Sequence, residues 1–239
     1  MTIVLSIAGQ DHIVMAADSA VMLDFGESRE YEQGRKTYMY PGVGCVSTWG
    51  SREANQVGRY LSQELGNLDT PSVEHLAELT FTYLTQEYRP DDIGLDNVGY
   101  HIGGFDSDQA PRLFHVFYGF DRPRPPDQIE RKYGKYDHSP GPDGMFFLYN
   151  GRNDLAFLTI NTFLREVSKG ADTVLDMSEI IDRVMLADLV LRFASEITPQ
   201  VAPPFITHVI SPRNTSVIVR NDELIPLDRD LISELMASA

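Results

Sequence analysis

Thr2-Ile3-Val4-Leu5-Ser6-Ile7-Ala8-Gly9-Gln10-Asp11-His12-Ile13-Val14-Met15-Ala16-Ala17-Asp18-Ser19 is the stretch on which the fold turns. Its two runs rich in Ile and Val, residues 2–8 and 12–17, flank Gly9-Gln10-Asp11, the pattern of a tight β-hairpin. Neither run alternates cleanly between apolar and polar, so both strands are expected to be buried. Downstream, a polar stretch over residues 24–35 leads to a second hairpin, residues 36–40 and 43–49, turning at Pro41-Gly42.

Apolar spacing then changes from strand to helix. Ala54, Val57, Tyr60, Leu61 and Leu65 share one face of a helix over 51–65, and Val73, Leu76, Leu79, Tyr83 and Leu84 mark a second that opens at Pro71-Ser72. Strands return at 98–105 and 112–118. Residues 120–144 hold five prolines, Pro123, Pro125, Pro126, Pro140 and Pro142, and are expected to form a long surface loop. Its Arg122, Arg124, Arg131 and Lys132 would cover a site, meet a neighbour or simply face solvent. A strand at 145–149, helices at 154–168 and 178–197, and strands at 205–211 and 216–220 complete the chain. This order predicts one α+β domain over residues 1–239, two mainly antiparallel sheets packed together with helix pairs outside, a four-layer αββα sandwich.

Composition narrows the function. With 42% hydrophobic and 23% charged residues the chain can build a sizeable core, and a formal net charge of -15 argues against nucleic acid or an anionic membrane as partner. A single cysteine, Cys45 between Val43 and Val46, permits no intrachain disulfide and points to a cytoplasmic protein with a buried thiol. No stretch approaches the roughly 18 apolar residues of a membrane span. His12, His75, His101, His115, His138 and His208 show no ligand spacing, and the glycine pairs lack the strand-then-helix setting of phosphate loops, so neither a metal nor a cofactor is expected. The strand histidines His101, His115 and His208 read as structural.

Chemistry is concentrated in the first 50 residues. A small residue at position 2 favours removal of Met1, which would leave the free amine on Thr2. A threonine hydroxyl is a weak nucleophile, but the amine beside it serves as a general base once its pKa is brought down towards neutrality. A nearby lysine lowers that pKa, a buried aspartate holds the lysine, and a backbone donor receives the oxyanion. Thr2, Asp18, Lys36 and Gly50 supply those four roles. Taken singly, Asp18 is equally a strand-end turn residue, Lys36 a hairpin charge and Gly50 a helix start.

Together, Thr2-Ile3-Val4, Ala16-Ala17-Asp18-Ser19, Lys36 and Gly50-Ser51 resemble the proteasome β-subunit family of N-terminal nucleophile hydrolases and its bacterial homologues. The intervals from Thr2 to Asp18 and from Lys36 to Gly50 match the family's, and that from Asp18 to Lys36 is longer by two residues, a cheap insertion in a loop. The resemblance implies a threonine peptidase or amidohydrolase in a ring-shaped homo-oligomer, acting on a peptide or protein substrate, with any unfoldase partner left open. It also implies a substrate pocket near Val21, Tyr38, Thr48 and Arg52. The family's later serines and aspartate are absent. Asn150-Gly151 and residues 199–204, Pro-Gln-Val-Ala-Pro-Pro, stand in their places, with Asn150 able to hydrogen-bond the Thr2 amine. That departure keeps open a noncatalytic scaffold subunit, or an amidase or transpeptidase acting on a small substrate.

Overall fold

Every residue of β1 (Ile3–Ala8) and β2 (Ile13–Ala17) is buried. Strands lose alternation in this way only when the sheet they share is covered on both faces. In the computed structural model the described residues are 3–24, 29–50, 56–92, 97–120, 131–141, 144–151, 156, 158, 160–162, 176–213, 215–220, 230, 233 and 234. After β2 come β3 (Ala20–Asp24), β4 (Arg29–Gln33), β5 (Thr37–Tyr40) and β6 (Gly44–Trp49), then α1 (Val57–Leu65) and α2 (Val73–Thr82). The chain continues through a π-helical turn at Tyr83–Tyr88 to β7 (Val98–Phe105), β8 (Pro111–Phe120), β9 (Arg131–Asp137) and β10 (Phe146–Gly151). It ends with α3 (Ile180–Ile197), β11 (Phe205–Ile210) and β12 (Thr215–Arg220).

The molecule is α+β, with two antiparallel five-stranded sheets. The first has the order β10-β1-β2-β11-β12 and the second β5-β6-β7-β8-β9, while β3 and β4 form a separate ribbon. On the first sheet, Ile3, Leu5, Ile7, Val14 and Ala16 pack against Val184, Ala187, Leu191 and Ala194 of α3. On the second, Val46, Tyr100, Ile102 and Val116 pack against Val57, Leu61, Val73 and Leu76 of α1 and α2. The remaining faces meet each other, with Ile13 and Met15 against Cys45 and Leu113, and Val4 and Ala17 against Trp49 and Phe117. A side chain on Gly103 would stand 2.7 Å from Met15 Sδ, so glycine is what lets the sheets close there. Cys45 lies inside this seam, where burial pushes its thiol up to about 12.

Two sequence readings are corrected. Part of the polar stretch at 24–35 is strand, since β4 pairs with β3 from Asp24–Arg29 to Ala20–Gln33. The loop expected over 120–144 contains β9, which pairs with β8 as the edge of the second sheet. Edge strands carry little apolar signal and are protected by charge, and Arg131-Lys132-Tyr133-Gly134-Lys135-Tyr136-Asp137 fits that pattern. Arg122 and Arg124 lie outside the described residues. So does most of the helix expected at 154–168, of which residues 156, 158 and 160–162 are helical. Ser72 caps α2 by accepting a hydrogen bond from His75 N. Among the described residues no helix is long and apolar enough to cross a membrane, and no group of three or more His, Cys, Asp or Glu is placed to hold a metal.

Candidate active site

Asp18 follows the last residue of β2, where the ladder ends and a side chain can turn back on the strand ends. Its carboxylate accepts three hydrogen bonds: Oδ1 from Ile3 N at 2.9 Å, Oδ2 from Ala20 N at 3.0 Å, and Oδ2 from Lys36 Nζ at 2.8 Å. Asp18 N donates in return to Ile3 O at 3.4 Å, so the start of β1 and the end of β2 are tied twice. Lys36 immediately precedes β5, and Thr48 N in β6 donates to its carbonyl at 2.8 Å. The ion pair is enclosed, with the Lys36 and Asp18 side chains 4% and 0% exposed.

Burial pushes the Asp18 carboxyl up and the Lys36 ammonium down, and their mutual contact opposes both shifts. The ammonium is therefore held by one carboxylate and is easier to deprotonate than a solvated lysine. Such a group can lower the pKa of an amine beside it and stabilise negative charge developing on oxygen.

Gly50 follows β6 with φ of +101°, and a side chain there would press on the Asn97 carbonyl and stand 2.7 Å from Val98 Cα. Only glycine fits both restraints. Val21, in β3, and Thr48 are buried, and Thr48 Oγ1 has no hydrogen-bond partner among the described residues. Tyr38 lies half-buried on the helix side of the second sheet, its ring under Gly58 of α1 and its hydroxyl donating to Arg35 O at 3.0 Å. Thr2 and Arg52 lie outside the described residues.

The second half reaches the same region differently from the sequence expectation. Asn150 is opposite Val4 and Gly151 opposite Ile3 in the β1–β10 ladder, which brings Asn150 to the strand end that Asp18 holds. Its Oδ1, however, lies 2.7 Å from His101 Nε2. Residues 199–204 contribute main chain: Ser19 N donates to Ala202 O at 3.0 Å and Ser19 Oγ to Pro204 O at 2.5 Å, next to the cis bond between Pro203 and Pro204. Ser19 and His101 were not among the site candidates. A signal for His101 exists, because Ser6 is the one polar residue of β1 and needs a buried partner from another strand.

The fold has counterparts among solved proteins. The Anbu (Gly-1) mutant from Hyphomicrobium sp. strain MC1 is 15% identical, with a TM-score of 0.66 over 100% of this chain and 93% of that one. Anbu from Yersinia bercovieri, an ancestral beta-subunit, is 14% identical with a TM-score of 0.66 over 99% and 95% of the two chains. The Anbu complex from Pseudomonas aeruginosa, solved as a helical assembly, is 15% identical with a TM-score of 0.62 over 99% and 94%. At such identities the likeness establishes the fold alone. It corrects the resemblance to proteasome β-subunits, because Anbu is a distinct family, although a related one. No family model matches the sequence, and no curated protein matches it either.

Proposed function

We propose that this chain is a threonine-type peptidase or amidohydrolase using the Thr2 hydroxyl after loss of Met1, folded as one four-layer αββα sandwich and working in a homo-oligomer. The observation that carries the reading is the enclosed Lys36–Asp18 pair bonded to the backbone of Ile3, the residue joined to Thr2. A buried ion pair is a poor way to gain stability, so its retention at a strand end favours a chemical use.

In this reading Thr2 Oγ attacks the substrate carbonyl and gives its proton to the Thr2 amine. The tetrahedral oxyanion takes a hydrogen bond from Gly50 N–H. The amine then passes the proton to the leaving nitrogen as the C–N bond breaks, and water resolves the acyl ester by the same groups in reverse. Lys36 lowers the amine's pKa and Asp18 aims Lys36. Asn150 borders the amine, and Val21, Tyr38, Thr48 and Arg52 line the pocket. The Pseudomonas complex supports assembly of copies; electron microscopy distinguishes a closed ring from an open helix. Residues 199–204, which offer carbonyls to Ser19 in place of acid and hydroxyl side chains, favour a second reading, a noncatalytic scaffold.

Intact mass after incubation with a peptide bearing an electrophilic carbonyl mimic tests the first reading. The expected result is a chain lacking Met1 with one adduct on Thr2, absent from Thr2→Ala. Retained Met1, or an adduct that survives Thr2→Ala, overturns it.

A further inference from the structure

Two histidines join the sheets within one polar layer. In the first sheet Ser6 and His208 stand on either side of Met15 across the ladder, and in the second Thr37 and His101 stand on either side of Ser47. Ser6 Oγ lies 2.9 Å from His101 Nδ1, and His208 Nε2 lies 2.9 Å from Thr37 Oγ1. All four side chains are buried. The two links are alike in depth, length and chemistry.

They differ in what stands next to them. Ser6 and His101 lie in the middle of β1 and β7, whereas Thr37 begins β5 and directly follows Lys36. β5 has four residues and, among the described residues, is hydrogen-bonded to β6 alone, so its own sheet grips it from one side. The other restraints on its start come across the seam. Gly34 N donates to Ser19 O at 2.8 Å, Lys36 Nζ donates to Asp18 Oδ2 at 2.8 Å, and Thr37 Oγ1 meets His208 of β11.

A lysine stem is flexible, so its ammonium is only as well aimed as the main chain that carries it. The bonds at Gly34 and Thr37 bracket Lys36, and of these two only the one at Thr37 is made by side chains. Because β11 pairs with β2, His208 refers the start of β5 to the strand that Asp18 follows. Loss of the Thr37 hydroxyl would release the strand start and leave a buried ring nitrogen without its partner.

We propose that His208 is a positioning residue which, through the Thr37 hydroxyl, holds the start of β5 so that the Lys36 ammonium stays on Asp18. The role rests on the reading of Lys36 given above, and its geometry involves only Lys36, Thr37, Asp18 and His208.

Reductive methylation with formaldehyde and cyanoborohydride, mapped by peptide mass, reads the exposure of each lysine amine, with the exposed Lys132 as internal standard. In the native protein Lys36 should react far more slowly than Lys132. Thr37→Val, which keeps the shape and removes the hydroxyl, should speed Lys36 about 10-fold, the scale expected when one buried hydrogen bond is lost from a local opening. Thr37→Ser restores the hydroxyl and should return the native rate. Ser6→Ala breaks the matching link between the same sheets and should leave Lys36 protected. A purely structural role would release Lys36 equally in Thr37→Val and Ser6→Ala, in step with their urea midpoints. That result, or an unchanged Lys36 rate in Thr37→Val, overturns the proposal. Should Thr37→Val not fold, His208→Phe replaces it, with His208→Gln as the rescue that restores a hydrogen-bonding group, and an unchanged rate in His208→Phe overturns the proposal equally. Because the readout is the lysine itself, a chain that retains Met1 defeats the reading of Thr2 and not this role, whereas a Lys36 unmoved by Thr37→Val defeats the His208 role alone.

Discussion

Two lysine–carboxylate pairs occupy opposite extremes of this molecule. Lys36 and Asp18 meet at the strand ends with side chains 4% and 0% exposed, whereas Lys135 of β9 meets Glu78 of α2 with side chains 30% and 64% exposed. The chemistry of contact is the same. Environment separates them: Asp18 also accepts from Ile3 N and Ala20 N, and neither partner of that pair can fall back on water. The buried pair therefore fixes three chain segments at once, while the exposed one trims the edge of a sheet.

The largest effect expected from breaking this contrast is at Lys36. Lys36→Met strands a carboxylate in the interior, and such half-removals cost about 3–5 kcal/mol. The double variant Asp18→Asn with Lys36→Met should recover part of that loss, because no charge is left unpaired. Urea titrations of the three proteins measure the difference. A Lys36→Met chain as stable as the native one would show that the interior screens Asp18 as water does.

Buried neutral bases extend the comparison. His101 and His208 are lowered to about 4, chiefly by burial, with His208 Nε2 held 2.9 Å from Thr37 Oγ1. Both folded values lie below the unfolded one of roughly 6.5. Below that value the unfolded chain binds protons that the folded chain refuses, so the contribution is whole above pH 6.5 and drains away towards pH 4. The expected loss is on the order of 3 kcal/mol for each histidine. The urea midpoint should fall steeply between those limits, and His208→Asn should flatten the slope. A midpoint indifferent to pH in this window contradicts the neutral assignment.

Gly50 sharpens the comparison in a different way, because what it avoids is backbone strain. Gly50→Ala must hold φ near +101° and displace the 97–98 backbone, costing about 1–3 kcal/mol. Thermal melting reads the loss. An unchanged melting point would mean that the β6 end relaxes freely, and a backbone donor aimed from it would then lose its precision.

How much of this was legible depended on whether a signal was local. Burial of β1 and β2 was readable because Ile and Val fill both faces of a short strand, and the end of β7 was readable because the turn residues from Asp106 to Pro111 are local too. β9 was hidden because an edge strand needs only one apolar face, and β4 because its neighbour is a ribbon and not a core sheet. At the site, Asp18, Lys36 and Gly50 could be singled out by interval, since rigid strands convert sequence distance into position. Asn150 was singled out differently, as the residue standing where the family's pattern has a serine before a glycine. Its partner His101 was not, because the contact joins β10 of one sheet to β7 of the other and exists only once the sheets are packed. The contribution of residues 199–204 was hidden for a related reason: what they give Ser19 is two main-chain carbonyls, which any sequence carries.

The smallest effect belongs to the exposed pair and is the control on the whole comparison. Lys135 Nζ donates to Glu78 Oε1, and both side chains have water on the other side. Desolvation is slight, so attraction is screened and ordering two long side chains offsets much of the gain. Glu78→Ala and Lys135→Ala should each cost about 0.2–1 kcal/mol, with a coupling between them that shrinks as salt is added. A double-mutant cycle at low and high ionic strength measures it. If that coupling matched the Lys36–Asp18 pair and ignored salt, burial would no longer distinguish the two regions, and the argument that the enclosed pair is kept for chemistry would lose its physical basis.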